Sequence, residues 1–473
     1  MGIQTSGGER PKRQESRPDS LGSRPEDQEQ GDEPRSPRYS DDALALRFSD
    51  RYYDQLRYTA KWGRWSLWTG QCWRPDETLR VFSMARGICR EASAECSPIG
   101  LAARVASGGV VAAVERLART DRRHAMEVEQ WDRNPWVLNT PHGTIDLRTG
   151  ELKPHGRQDH LTKITRVAPG GDCALWREFL HRVTNGDSEL QGFLQRFVGY
   201  CLTGVTREHA IFFLYGTGAN GKSVFISTIS NLLNDYATVA AMDTFMATTG
   251  DRHPTDLAKL HGARLVTAVE TEDGRRWAES KLKGLTGGDK ITARFMRQDF
   301  FEYTPQFKLV VAGNHKPAIR NVDEAMRRRI HLIPFTVTIP VSERDQQLTE
   351  KLIAELPGIL AWAIAGCMEW QKQGLNPSES VRLATQEYLA AEDVLGRWME
   401  ENTVFGQQYF SSSSALYDDW RQWCEVNREY VGSQKQFSQK LEQRSEVTKG
   451  RREQARGFQG IALRTDASAS TAG

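Results

Sequence analysis

Residues Ala210–Ser223, AIFFLYGTGANGKS, decide the fold class. The first six form a continuous apolar run of strand length, the next eight fit G-x-x-x-x-G-K-[ST], and a helical pattern follows through Leu233. Strand, glycine-rich loop and helix in that order describe a phosphate cradle: glycines let the backbone turn so that successive N–H groups face phosphate oxygens, and the helix N-terminus favours anions. Gly216, Gly218, Ala219, Asn220, Gly221, Lys222 and Ser223 are therefore assigned to ATP binding, with Lys222 reaching the β- and γ-phosphates and Ser223 holding Mg2+ through its hydroxyl. The alternative, a glycine turn that merely caps a helix, does not account for both flanks.

A phosphate-binding loop needs acidic partners on a neighbouring strand. Arg264–Val269 (RLVTAV) reads as that strand and runs into Glu270-Thr271-Glu272. Glu270 is assigned to the Mg2+ shell, and Glu270 or Glu272 to polarising the attacking water; the intervening Thr271 leaves their division of labour open. A third strand, Phe307–Ala312 (FKLVVA), ends at Gly313-Asn314, where the uncharged amide of Asn314 suits a sensor that orients the lytic water. Beyond it, DEAMRRRIHLIPF (Asp323–Phe335) sets Arg327, Arg328 and Arg329 ahead of an apolar strand. Adjacent arginines on a loop are commonly just solvated, but here Arg328 or Arg329 is expected to act as an arginine finger on a neighbouring subunit's ATP. Arg328 is preferred, because Arg329 is placed to anchor the strand.

The whole chain sets bounds on this reading. At 473 residues it is long enough for two to four domains. Its 63 Lys plus Arg nearly balance 61 Asp plus Glu, so net charge demands neither nucleic acid nor a membrane surface. The seven cysteines show no C-x-x-C pair and no zinc-finger spacing, which fits a reducing cytosol. The longest apolar stretch, Gly358–Met368, is too short to span a bilayer and no signal peptide opens the chain, so a cytoplasmic protein with no membrane partner is expected.

Residues 1 to about 40 are polar and nearly devoid of aliphatic or aromatic side chains, and are expected to be disordered. Leu44, Phe48, Tyr52 and Leu56 then recur at helical spacing, followed by Trp62, Trp65, Trp68 and Trp73. Those tryptophans read as a small β-rich core more readily than as exposed base-stacking platforms. Asn139–Lys153 reads as a hairpin in which Asp146–Arg148 and Glu151–Lys153 flank Thr149-Gly150. Helical periodicity resumes at Trp176, Phe179 and Leu180 and again from Leu190 to Phe197. After Phe335 it runs from Leu348 to Trp370, with Pro357 as a break.

GTGANGKS, ETEDGRRWAES, KLKGLTGGDKITARFMRQ, FKLVVAGNHKP and DEAMRRRIHLIPF, with IDLRTGEL upstream, resemble in this order the superfamily 3 helicases. The likeness is to the helicase half of phage and plasmid primase-helicases of the satellite-phage type and to the related poxvirus NTPase-primase, over roughly residues 45–340. It implies an α/β fold: a P-loop NTPase core of AAA+-like type, an α+β N-terminal domain and a C-terminal winged-helix domain. The expected divisions are 1–40 (tail), 41–165 (N-terminal domain), 166–340 (motor), 341–395 (helical lid and linker) and 396–473 (winged helix). The resemblance also implies that Leu285–Phe301 forms a hairpin gripping single-stranded DNA in a ring's central channel. Gly287-Gly288 would be its turn, and Lys290, Arg294 and Arg297 its phosphate contacts. In the tail, Leu416, Trp420 and Trp423 share one helical face and Phe437 and Leu441 another. Lys449, Arg451, Arg452 and Arg456 would line a basic wing, although such a charge run is also what an ordinary solvated face looks like.

The function implied is an ATP-hydrolysing DNA helicase of phage or plasmid replication that works as a homo-oligomer, a hexamer in the related rings, with 3′ to 5′ polarity. A P-loop ATPase that remodels or loads replication proteins at an origin is the alternative. Larger relatives place a primase domain ahead of the helicase; only the polar start precedes residue 41 here, so a separate primase or host replication proteins are the expected partners.

Overall fold

Three of the strands expected around the nucleotide loop are apolar along nearly their whole length, which suits a parallel sheet covered on both faces. The computed structural model describes residues 37–247, 255–269, 275–297, 299–319, 322–444, 446–452 and 455–464. It opens with α1 (Asp41–Tyr52), capped by Ser40, whose side chain accepts from the Ala43 N–H. Arg38 pairs with Glu95 and the Tyr39 hydroxyl donates to the Glu95 carbonyl, so ordered contacts begin a few residues before the expected start of folding.

The N-terminal part continues with β1 (Leu56–Thr59), β2 (Arg64–Trp68), β3 (Trp73–Pro75), α2 (Arg80–Ala94), α3 (Ile99–Val105) and α4 (Gly108–Ala118). Strands β1–β3 form an antiparallel sheet, and Trp62, Trp65 and Trp73 are buried, but in two separate cores: Trp65 packs with residues of α1, α2 and α4, whereas Trp62 and Trp73 pack with Trp131, Phe301 and Tyr303. Next come β4 (Val137–Thr140), β5 (Gly143–Asp146) and β6 (Glu151–Lys153), an antiparallel meander. The expected hairpin is its second half, but the first strand ends at Asp146, which pairs with Glu151. Leu147 leaves the strand because its side chain is fully buried in the core that also holds Trp176 and Phe197.

Two helices, α5 (Ala174–Val183) and α6 (Ser188–Leu202), lead into β7 (Ile211–Tyr215) and α7 (Lys222–Leu233). Then follow β8 (Ala237–Val239), α8 (Thr255–Ala258), β9 (Leu265–Val269), α9 (Glu279–Gly287), β10 (Ile291–Ala293), β11 (Phe301–Tyr303), β12 (Lys308–Gly313), α10 (Glu324–Arg327) and β13 (Ile330–Pro334). Five of these strands form one sheet in the order β13-β7-β12-β9-β8. Every neighbouring pair is parallel, so all C-terminal ends lie on one edge. One face packs against α5, α6, α7 and the later helix Leu356–Gln373 through Trp176, Phe197, Phe225 and Ile359; the other is covered by residues including Trp277, Leu282, Leu285 and Tyr388.

The helices α11 (Leu348–Ala354), α12 (Leu356–Gln373) and α13 (Glu379–Glu392) follow, with Pro357 within the first turn of α12. The chain ends in α14 (Val394–Asn402), β14 (Thr403–Ser412), α15 (Ser413–Asn427), α16 (Gln434–Glu442), β15 (Thr448–Arg452) and β16 (Ala455–Leu463). Its three strands pair in the order β14-β16-β15 around a core of Trp398, Leu416, Trp420, Phe437 and Leu441. Among the described residues, no single helix is long and apolar enough to cross a membrane.

Candidate nucleotide site

The site is built at the C-terminal edge of the sheet, where β7 hands over to α7. Gly216 must be glycine: a Cβ there would collide with the Phe335 carbonyl oxygen and with Asn220 Nδ2. Gly221, with φ +87°, starts α7 from the left-handed region, and a Cβ on it would meet Val183 Cγ1 at 2.5 Å. Asn220 is buried and donates through Nδ2 to the Phe335 carbonyl at 2.7 Å, tying the loop to the segment after β13. The Ile339 N–H makes a second tie, to the Ala219 carbonyl at 2.9 Å.

Lys222 is the first residue of α7 and is 7% exposed. Its Nζ donates to the Gly216 carbonyl at 2.7 Å, to Asn220 Oδ1 at 3.1 Å and to Asn314 Oδ1 at 3.3 Å. Desolvation pushes its pKa below the usual lysine value, which raises the gain from an anion that replaces these neutral acceptors. Ser223 is exposed one residue into the helix, free of the burial that encloses Lys222. Asn314 meets the lysine because β12 lies beside β7 in register, Gly313 opposite Tyr215. The acidic strand is in register too, Ala312 opposite Val269. Glu270 and Glu272 lie outside the described residues.

The arginine triplet has three different settings. Arg327 forms an ion pair with Asp393 at 2.9 Å. Arg329 is buried, donates to the Ala325 carbonyl at 2.8 Å and to Thr286 Oγ1 at 3.3 Å, and is lowered in pKa by burial and then by the adjacent Arg328. Arg328 is exposed. Both Arg328 and Arg329 precede β13, so they sit at the opposite edge of the parallel sheet from Gly216; the five residues of β13 span about 13 Å between those edges.

A cavity of about 420 Å³ adjoins the loop, lined by Val183–Asp187, Leu190, Pro334, Thr336, Val337 and Ser380. Sequence reasoning missed it, because its walls come from three distant stretches and none carries a motif.

A hairpin is present within Leu285–Phe301 but shifted from the expected turn. Leu285–Gly287 belong to α9, and Gly288, with φ +84°, is its left-handed C-cap, so the glycine pair ends a helix and is not the hairpin turn. The hairpin arms are β10 and β11, with Ala293 opposite Phe301. Lys290 precedes the first arm, while Arg294 and Arg297 lie on the connection between arms. The structure therefore gathers Gly216–Ser223 and Asn314 at one edge, and places Lys290, Arg294 and Arg297 on a separate projection.

A model described as D5 N-terminal like matches residues 45–185, and a family of unknown function, DUF5906, matches residues 214–329. "Putative helicase L207/L206" of Acanthamoeba polyphaga mimivirus is 25% identical over 330 residues, 64% of this chain and 34% of that protein. "Putative helicase 022R" of Frog virus 3 is 26% identical over 263 residues, 51% of this chain and 27% of that protein. The chain thus carries a D5 N-terminal-like region followed by a DUF5906 region, and it is similar to viral proteins named putative helicases. It spans about a third or less of the length of these viral relatives. Among solved structures, the apo A form of the NrS-1 C-terminal region aligns with this chain at 9% identity and a TM-score of 0.48, over 86% of this chain and 96% of that one. The two family matches leave residues 186–213, which hold α6 and the start of β7, between them; one covers the N-terminal part through α5 and the other the nucleotide loop through the arginine triplet.

Proposed function

We propose that the chain is an ATP- and Mg2+-dependent motor that moves along single-stranded DNA and separates strands in replication, working as a ring, a hexamer if it follows the superfamily 3 helicases that its motifs resemble. The observation that carries this reading is the contact of Lys222 Nζ with both the Gly216 carbonyl and Asn314 Oδ1, which brings the lysine of the glycine-rich loop to the amide at the end of the adjacent strand. ATP would displace those acceptors with phosphate oxygens, and the freed Asn314 amide would orient water. The cavity beside Val183 and Val337 has the position and size for the base. Ser223 and Glu270 are the residues that would hold Mg2+, whose chemistry is to neutralise developing charge on the phosphoryl oxygens. Glu270 or Glu272 would polarise the attacking water.

Arg328 cannot easily turn back across the sheet to its own nucleotide, so it is assigned to the neighbouring subunit's site. Lys290, Arg294 and Arg297 are assigned to DNA phosphates. The succession α14-β14-α15-α16-β15-β16 has the order of a winged helix, and Lys449, Arg451, Arg452 and Arg456 on its terminal hairpin are proposed as duplex contacts.

The test is fork unwinding by the purified protein with 3′-tailed and 5′-tailed substrates compared. ATP-dependent unwinding from one tail, lost in Lys222→Ala, is expected. Lys290→Ala should lower unwinding and flatten the salt dependence of DNA binding. ATP hydrolysis without unwinding, with Lys290→Ala indistinguishable from wild type, would reject the helicase in favour of an ATPase that remodels proteins.

A further inference from the structure

The connection between β10 and β11 is not purely basic. Phe300 is 54% exposed and Met296 is 70% exposed, on a segment whose base is well packed. Ala293, Phe301 and Tyr303 lie in a core with Trp62, Trp73 and Trp131 of the N-terminal part. Phe295 stacks on Phe301 with ring centroids 5.6 Å apart, and the Arg64 guanidinium sits 5.7 Å from the Phe295 ring. The sequence thus buries the neighbouring aromatics and leaves Phe300 out. Its ring has the Arg294 guanidinium over it at 4.7 Å. Arg297 is exposed on the same connection, in the left-handed region at φ +60°.

We infer that Phe300, with Arg294 stacked on it, forms a base-stacking platform for unpaired nucleobases, so that the hairpin holds bases as well as phosphates. The inference rests on the single-stranded DNA reading given above and deepens it. Phosphate contacts need only cations, and cations alone do not account for an aromatic and a thioether kept in water on a connection that carries two arginines and Asp299. A flat apolar ring with a guanidinium over it matches the π-face of any base, and the two arginines suit the backbone that delivers the base. Such a platform has no base preference, as a translocating hairpin requires. A duplex, whose bases are already stacked on one another, cannot use it.

The experiment measures the affinity of the full chain for an oligothymidylate and for an abasic oligonucleotide of equal length and charge. Wild type should bind the base-containing strand ~5- to 150-fold more tightly, the range for one to a few kcal/mol of stacking. Phe300→Ala should bring that ratio close to one, whereas Phe300→Trp should keep it. Arg297→Ala should weaken both oligonucleotides together and leave the ratio intact. A 2-aminopurine strand should be quenched on binding to wild type and to Phe300→Trp, and not to Phe300→Ala. Because Phe300 is exposed, these variants are expected to melt with wild type. Equal affinity of wild type for the two oligonucleotides overturns the platform while leaving DNA binding in place. A ratio unchanged in Phe300→Ala overturns it as well, and a change of oligomeric state in that variant would then identify the tip as a contact between copies. Binding of neither oligonucleotide rejects the single-stranded DNA reading itself.

Discussion

Replacing Asn220 with alanine tests whether the nucleotide loop is pre-formed by its own side chains. Asn220 is 4% exposed and works in two directions: Nδ2 donates to the Phe335 carbonyl at 2.7 Å and Oδ1 accepts from Lys222 Nζ at 3.1 Å. Alanine leaves the Phe335 carbonyl buried without that donor, at a cost of ~1–3 kcal/mol, and deprives Lys222 of one of three acceptors. If that cost falls on the loop conformation that binds phosphate, the binding-competent fraction drops and ATP affinity weakens by ~5- to 150-fold. Asn220→Asp separates the two bonds. The carboxylate still accepts from Lys222 but cannot donate to the Phe335 carbonyl, and it adds a negative charge where phosphate must come. It should therefore bind ATP more weakly than Asn220→Ala, although it keeps the contact to lysine. Calorimetric titration with ATP under non-hydrolysing conditions gives the affinities, and thermal melts show how much of the loss is global. ATP affinity in Asn220→Ala within twofold of wild type would show that the loop does not depend on this amide.

Mixed rings test the placement of Arg328. Lys222→Ala and Arg328→Ala should each be inactive alone, since an arginine finger supplies ~10³ to 10⁵ in rate, and mixing them should restore part of the hydrolysis; mixed assemblies without recovery would reject a shared site. The cavity is tested by Val337→Trp, which fills it. Burying ~100 Å² of base at about 25 cal/mol/Å² gives ~2.5 kcal/mol, so wild type should prefer ATP over inorganic tripolyphosphate by ~70-fold and the variant should lose most of that preference. An undiminished preference places the base elsewhere. Lys308 is fully buried, below Tyr200 and near Cys201, Arg264 and Cys367, and burial pushes its pKa down from 10.5 to about 7. Between those values the unfolded chain binds the extra proton, so stability contributed by this site rises with pH from about 7 to 10.5 and is flat below, by a few kcal/mol at most. Urea midpoints of wild type and Lys308→Met across that range should diverge, and parallel curves would refute the assignment.

The parts of this molecule that were legible in its sequence are those whose information is local. The P-loop is contiguous, its strand and helix flank it, and Gly216 and Gly221 stand where a Cβ would clash, as the motif leads one to expect, while Asn220, at a position the motif leaves open, ties the loop to the Phe335 carbonyl. The sensor strand and the strand after the arginines were readable because parallel strands covered on both faces must be apolar throughout. The glycine pair at 287–288 was misread for a local reason too: a left-handed glycine ends a helix as readily as it turns a hairpin, and only the burial of Leu282, Leu285 and Thr286 on one side of α9 decides between them. The rest depended on partners far away in the chain. Nothing within RRR distinguishes Arg327, Arg328 and Arg329; what separates them is that Asp393 reaches the first, Thr286 takes up the third, and the second faces water. Asp393 also accepts two bonds from Arg444 and, through Oδ1, caps α14 at Gly396 N. One carboxylate thus ties the loop bearing the proposed finger to the C-terminal unit. If that unit holds a duplex and Arg328 reaches a neighbouring subunit's ATP, as proposed, Asp393 is the residue that joins the two, a link that no motif in the sequence spells out.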